Sequence, residues 1–247
     1  MIRFAAVVLM LFCLTACGRK GALIAPEALV PAKIKDFTVV QKGEELQLSW
    51  SLPKRLESGG KLTDLAGFKL LAREMSLGAG CPDCPESWRL LKQFDLEYLK
   101  GATSLGDRLF YRDLEAKQGI GYHYRLIAFT KGAAESAPAE ARFTKQPPLP
   151  APVLKTTATT SSVTLECSAV ALPAGYLPTG CAIYRAKQGE SAPLTPYARL
   201  ANFGKYEDTL LEPGVTYLYQ ATQTATVNGY SFEGVPATAS AKLAEPD

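Results

Sequence analysis

Leu211-Glu212-Pro213-Gly214-Val215-Thr216-Tyr217-Leu218-Tyr219 sets a Pro-Gly turn directly before a run with aromatic residues at alternate positions. Proline and glycine mark turns, and a period of two places alternate side chains on opposite faces of a strand. Tyr217, Tyr219 and Ala221 therefore share one face. A looser version lies upstream, where Leu114 to Gly119 leads into Tyr122-His123-Tyr124-Arg125-Leu126-Ile127-Ala128. Working outward, Leu46-Gln47-Leu48-Ser49-Trp50 and Phe68-Lys69-Leu70 precede the first stretch. Val163-Thr164-Leu165-Glu166-Cys167 and Cys181-Ala182-Ile183-Tyr184 precede the second. Short alternating segments separated by turn signals, with little helical periodicity from Pro31 onward, predict an all-β chain of two sandwiches.

The two halves are repeats of unequal length. Tyr122 and Tyr217 lie 95 residues apart, whereas Trp50 and Cys167 lie 117 apart, so about 22 residues of extra chain belong to the first repeat. Between the repeats, Lys145-Gln146-Pro147-Pro148-Leu149-Pro150-Ala151-Pro152 carries four prolines in six residues. Such a segment is extended, and it fixes how the sandwiches sit or guards the first strand of the second.

These motifs resemble the fibronectin type III family over roughly residues 31–247. The 211–219 stretch matches that family's Leu-x-Pro-Gly-x-x-Tyr corner, and Asn228-Gly229 suits a tight turn whose central residues need positive φ. The resemblance implies tandem immunoglobulin-like sandwiches at 31–146 and 153–247, joined by a linker at 147–152. It implies core roles for Trp50, Phe68, Tyr122 and Tyr217, each corner Tyr burying its ring and bonding its hydroxyl to nearby backbone. Cys167 and Cys181 stand where the first repeat has Trp50 and Phe68. A paired replacement of two facing aromatics predicts a buried Cys167–Cys181 disulfide between the sheets, with two separate buried thiols as the alternative.

The amino terminus carries an address. Phe4 to Leu14 is an apolar run of eleven residues, the length of a signal-peptide core and too short to span a bilayer comfortably. Leu14-Thr15-Ala16-Cys17, followed by Gly18, resembles the lipobox of bacterial lipoproteins. That resemblance implies cleavage after residue 16, lipidation of Cys17, a flexible tether over 17–30 and, from Gly18, sorting to the outer membrane. Several acyl chains hold far more firmly than one, each buried CH₂ contributing about 0.8 kcal/mol. Cys17-Gly18-Arg19-Lys20-Gly21-Ala22-Leu23-Ile24-Ala25-Pro26 further resembles the start of small lipoproteins that accompany the lipopolysaccharide translocon, with Ala22 in place of the usual Pro. The same residues also suit a simple mobile tether whose Arg19 and Lys20 rest against anionic headgroups.

Composition narrows the chemistry. The 247 residues hold 27 Lys+Arg against 24 Asp+Glu, a formal net charge of +3 that gives no footprint for nucleic acid. His123 is the single histidine, and alternation between the two tyrosines predicts that it faces solvent. Of six cysteines, Cys13 leaves with the signal, Cys17 is the anchor and four remain. Cys81-Pro82-Asp83-Cys84-Pro85 falls within the extra chain of the first repeat and reads as a Cys81–Cys84 disulfide staple, half of a metal site or a redox pair. The neighbouring Asp83 would raise a thiol pKa, and a second Cys pair for zinc is lacking, so the staple is preferred.

The expectation is an outer-membrane, lipid-anchored, non-enzymatic binding or structural module, with no cofactor and no metal. Its partners are the membrane and an envelope protein or glycan, met through loops and strand edges, above all the insertion between Met75 and Phe94. An accessory role in lipopolysaccharide transport and a thiol-disulfide role for Cys81 and Cys84 are the alternatives.

Overall fold

A computed structural model describes residues 29–75 and 88–245. The lipobox with Cys17, the tether up to residue 28 and the Cys81–Cys84 motif lie outside the described residues. Within them the chain is all strand and turn, without a helix.

In the first half, β1 (Thr38–Lys42), β2 (Glu45–Ser51), β6 (Arg108–Asp113) and β5 (Ala102–Leu105) form one sheet in the order β1-β2-β6-β5. The facing sheet is β4 (Arg89–Asp95), β3 (Leu65–Met75), β7 (Gly121–Thr130) and β8 (Ala139–Thr144). In the second half, β9 (Val153–Ala158), β10 (Val163–Ser168) and β13 (Gly204–Asp208) oppose β11 (Leu177–Lys187), β12 (Ala198–Leu200), β14 (Tyr217–Val227) and β16 (Ala237–Ala241). Both halves are immunoglobulin-like sandwiches with the fibronectin type III distribution of strands. The first half's extra chain is not confined to the Met75–Phe94 region: β5 with its flanking turns has no counterpart in the second half.

Each core forms where the inward residues of two alternating strands meet. Trp50 is fully buried, with ring centroids 5.5 Å from both Phe68 and Phe94. Trp50 is thus wedged between β3 and β4, and its contacts are tilted or edge-on, as aromatic quadrupoles favour. In the second sandwich Val163, Leu165, Ile183, Tyr217, Tyr219 and Ala221 form a separate core around Cys167 and Cys181.

The two sandwiches share backbone. Asn228 and Gly229 both adopt positive φ, 50° and 79°, and turn β14 tightly into β15 (Tyr230–Glu233). β15 then pairs in parallel with β1, Gln41 opposite Phe232 and Lys42 opposite Glu233. One sheet therefore runs β12-β11-β14-β15-β1-β2-β6-β5 through the whole molecule. The first core extends across this seam to take in Leu149, Ala225 and Phe232. β1 would otherwise leave an open sheet edge; here it is covered by the neighbouring sandwich.

Candidate functional site

Both corner tyrosines make the same bond. The backbone N–H of Lys117 donates to the Tyr122 hydroxyl at 2.8 Å, and that of Glu212 to the Tyr217 hydroxyl at 3.1 Å. Two residues further along each strand a second, deeper bond repeats. Tyr124 donates to Asp113 and Tyr219 to Asp208, both at 2.8 Å. Asp113 and Asp208 are 3% and 1% exposed, so each carboxylate depends on its partners. Asp113 accepts the N–H groups of Glu115 and Ala116, while Asp208 accepts Arg185 on both oxygens, at 2.8 and 2.9 Å, and the N–H of Leu210. Burial, then the adjacent carboxylate, pushes both tyrosine hydroxyls far above their ordinary pKa. The aspartates were legible in sequence as a further pair at the 95-residue offset; without a visible partner the spacing alone gave them no role.

His123 departs from its expected exposure. It does point to the outer face of the β4-β3-β7-β8 sheet, but it is only 1% exposed because Trp88, the residue just before β4, lies over it. The indole and imidazole centroids are 4.9 Å apart. Two guanidiniums stack on the indole, Arg125 at 4.0 Å and Arg73 at 4.7 Å from the ring centroid. Arg73 Nη2 lies 3.1 Å from His123 Nδ1, and Glu140 Oε2 lies 3.1 Å from His123 Nε2. Glu140 also accepts Arg125 Nε at 2.7 Å, closing the circuit. Burial pushes the His123 pKa below its ordinary value, against the pull of Glu140. Burial alone would raise Glu140, but the hydrogen bonds from Arg125 and His123 outweigh it and hold the carboxyl low. Alternation gave the direction of the side chain; only the chain that folds back over it decided its burial.

A third cluster sits at the seam. Glu233, 5% exposed, accepts the Tyr184 hydroxyl, while Lys42 Nζ donates to that same hydroxyl at 2.9 Å and to the Leu194 carbonyl at 3.0 Å. Arg199 approaches the other oxygen of Glu233 at 3.3 Å. Burial lowers the Lys42 pKa, partly offset by Glu233. A cleft of about 280 Å³ opens beside this cluster, lined by Lys42, Gln47, Tyr184 and Thr222 among others. Neighbouring amides complete the seam. Gln41 donates to the Gln146 carbonyl at 2.8 Å and receives the Gln146 N–H at 2.9 Å, and Gln223 donates to the Pro150 carbonyl at 2.8 Å. The proline-rich linker is thereby held by both sandwiches.

Cys167 and Cys181 are joined by a disulfide across the second core. Among the described residues no group of three or more His, Cys, Asp or Glu is placed to hold a metal.

Strand order and paired tyrosine corners define the chain as a tandem of fibronectin type III-like sandwiches. No family model matches it, and no curated protein sequence does. Among solved structures it is similar to the chicken CNTN1 FN1–FN3 domains, with a TM-score of 0.34 and 15% identity, over 90% of this chain and 68% of that one. It is also similar to a two fibronectin type-III domain segment from chicken tenascin, with a TM-score of 0.31 and 17% identity, over 85% of this chain and 99% of that one.

Proposed function

We propose that the protein is a lipid-anchored lipoprotein of the outer membrane whose two sandwiches act as one rigid, non-catalytic binding module of the cell envelope. The observation that carries this reading is the sheet running unbroken from β12 to β5 across both sandwiches. A seam made of parallel strand pairing, a shared core and buried amides fixes the separation and rotation of the two units, which is what a scaffold presenting surfaces needs. The buried charged groups Asp113, Asp208 and Glu233 are each consumed in holding that scaffold. Leu14-Thr15-Ala16-Cys17 supports the anchor and Gly18 the outer-membrane destination.

The anchor is tested by mass spectrometry of the amino-terminal peptide from isolated membranes. An acylated Cys17 is expected; an unmodified Cys17 in a membrane-free protein overturns the anchor. The binding surface is tested with photo-crosslinking residues at Leu90, within the insertion, and Tyr98, just after it, which are 53% and 76% exposed, and at Leu210 as a remote control. A discrete adduct from the first two and none from Leu210 is expected, and no adduct at any site in intact cells overturns the module.

The ten residues Cys17 to Pro26 favour a second reading, an accessory role in lipopolysaccharide transport. Deleting 18–26 while keeping the lipobox would then raise envelope permeability and lose translocon co-purification; unchanged behaviour removes that role. For the thiol-disulfide alternative at Cys81 and Cys84, thiol labelling of the exported protein decides. A pair that stays oxidised in mild reductant counts against catalysis.

A further inference from the structure

The Trp88 cluster is more than packing, because the imidazole of His123 is hydrogen-bonded toward both arginines on the indole, to Arg73 directly and to Arg125 through Glu140. Arg73 always donates, so His123 Nδ1, 3.1 Å away, must be the acceptor. The ring proton is then on Nε2 and donates to Glu140, which in turn holds Arg125. One nitrogen thus ties down Arg73 directly and the other ties down Arg125 through Glu140. Those are the two guanidiniums stacked on Trp88. Only the neutral Nε2–H tautomer satisfies this circuit.

We infer that His123 is an acid-sensitive pin: while neutral it seats Trp88 on the sheet, and its protonation breaks the tie to Arg73 and releases the indole. Protonation puts an N–H on Nδ1, so donor faces donor and cation faces cation. The groups around the ring favour that outcome. Arg73 comes from β3, Arg125 from β7 itself, Arg142 from β8 opposite His123, and among the described residues the carboxylate at the ring is Glu140, also on β8. Glu140 already serves Arg125 and cannot neutralise a third cation at Nδ1. Trp88 is also poised to leave. Its Nε1–H is buried without a hydrogen-bond partner among the described residues, a cost that hydration on release would relieve. Because burial disfavours the charged ring, the transition belongs on the acid side of the ordinary imidazole value of about 6.5.

The single histidine makes the test direct. In the full chain, solubilised in detergent and carrying 5-fluorotryptophan, ¹⁵N shifts of the imidazole report tautomer and titration. The ¹⁹F line lost in Trp88→Phe reports the indole. An Nε2–H tautomer at pH 8, and a Trp88 line that moves with the His123 midpoint below pH 6.5, are expected. His123→Gln, whose amide can both accept from Arg73 and donate to Glu140, should hold the Trp88 line at its neutral position throughout. An Nδ1–H tautomer, a Trp88 line that stays fixed while His123 titrates, or a line that still moves in His123→Gln overturns the pin. The wild-type titration decides even if a variant fails to fold.

Discussion

Tyr124 and Tyr219 each end on a buried aspartate, yet the two carboxylates are unequally supported. Asp208 keeps the Arg185 guanidinium when its tyrosine is shortened, whereas Asp113 keeps only backbone N–H groups. Tyr124→Phe should therefore cost about 1–3 kcal/mol, the penalty of stranding a buried acceptor, and Tyr219→Phe distinctly less, as read from urea midpoints at constant slope. His123 makes a second residue-scale prediction. Its folded pKa lies below the unfolded value, so between the two the unfolded chain binds more protons and stability rises with pH. The contribution is complete above about pH 6.5 and is lost as pH falls through the folded pKa. Denaturant unfolding between pH 5 and 7 should show this slope in the wild type and a shallower one in His123→Gln. These two sites differed in legibility. The tyrosine corners were visible as repeated Pro-Gly or Gly turns before alternating aromatics, because that bond is local, five residues back along the chain. Trp88 over His123 joins residues 35 apart in sequence, and no periodicity carries that information.

At the scale of the element, the second sandwich exchanges an aromatic wedge for a covalent one. Trp50 fills the first core between β2, β3 and β4, while β10 and β11 carry Cys167 and Cys181 at the matching places and close the gap with a disulfide. The loop closed is short, with a sequence separation of 14. In the chain-entropy picture such a loop contributes about 3 kcal/mol. Replacing both cysteines by Ala should lower the stability of the second sandwich by about that much, with the added loss of packing, and reductant should reproduce most of the change. A calorimetric scan with and without reductant would show it; unchanged melting in both would refute the bond's role. β15 teaches a different lesson. Its Asn228-Gly229 turn was evident from the dipeptide, but its pairing with β1 depends on an edge supplied by another domain.

The whole molecule should behave as one cooperative unit, because seam, linker and core are continuous. Gly234 is the position at which this can be broken with one methyl group. A Cβ there would lie 2.7 Å from the Pro150 carbonyl oxygen and 3.0 Å from that of Leu149, at the place where the chain leaving β15 meets the linker. Gly234 N–H donates to the Gln223 carbonyl and Val235 N–H to that of Leu149, so neither strand nor linker can withdraw without losing bonds. Gly234→Ala should cost about 1–3 kcal/mol, the usual scale of overpacking, and split a single calorimetric transition into two. A single undisplaced transition would show that the seam is not what couples the sandwiches.

The sequence by itself determined the all-β class, the repeat, the turn positions and which residues point inward, since each follows from local geometry: a period of two, a Pro-Gly or Asn-Gly turn, a side chain too apolar to leave in water. It also set the expectation of an address at Cys17. The tertiary structure alone decided what those inward and outward faces meet. It buried His123 beneath Trp88, paired Tyr124 and Tyr219 with aspartates eleven residues earlier, and joined two sandwiches through β1 and β15. Contacts between distant segments depend on how whole sheets pack, and only the folded chain brings their partners within hydrogen-bonding range.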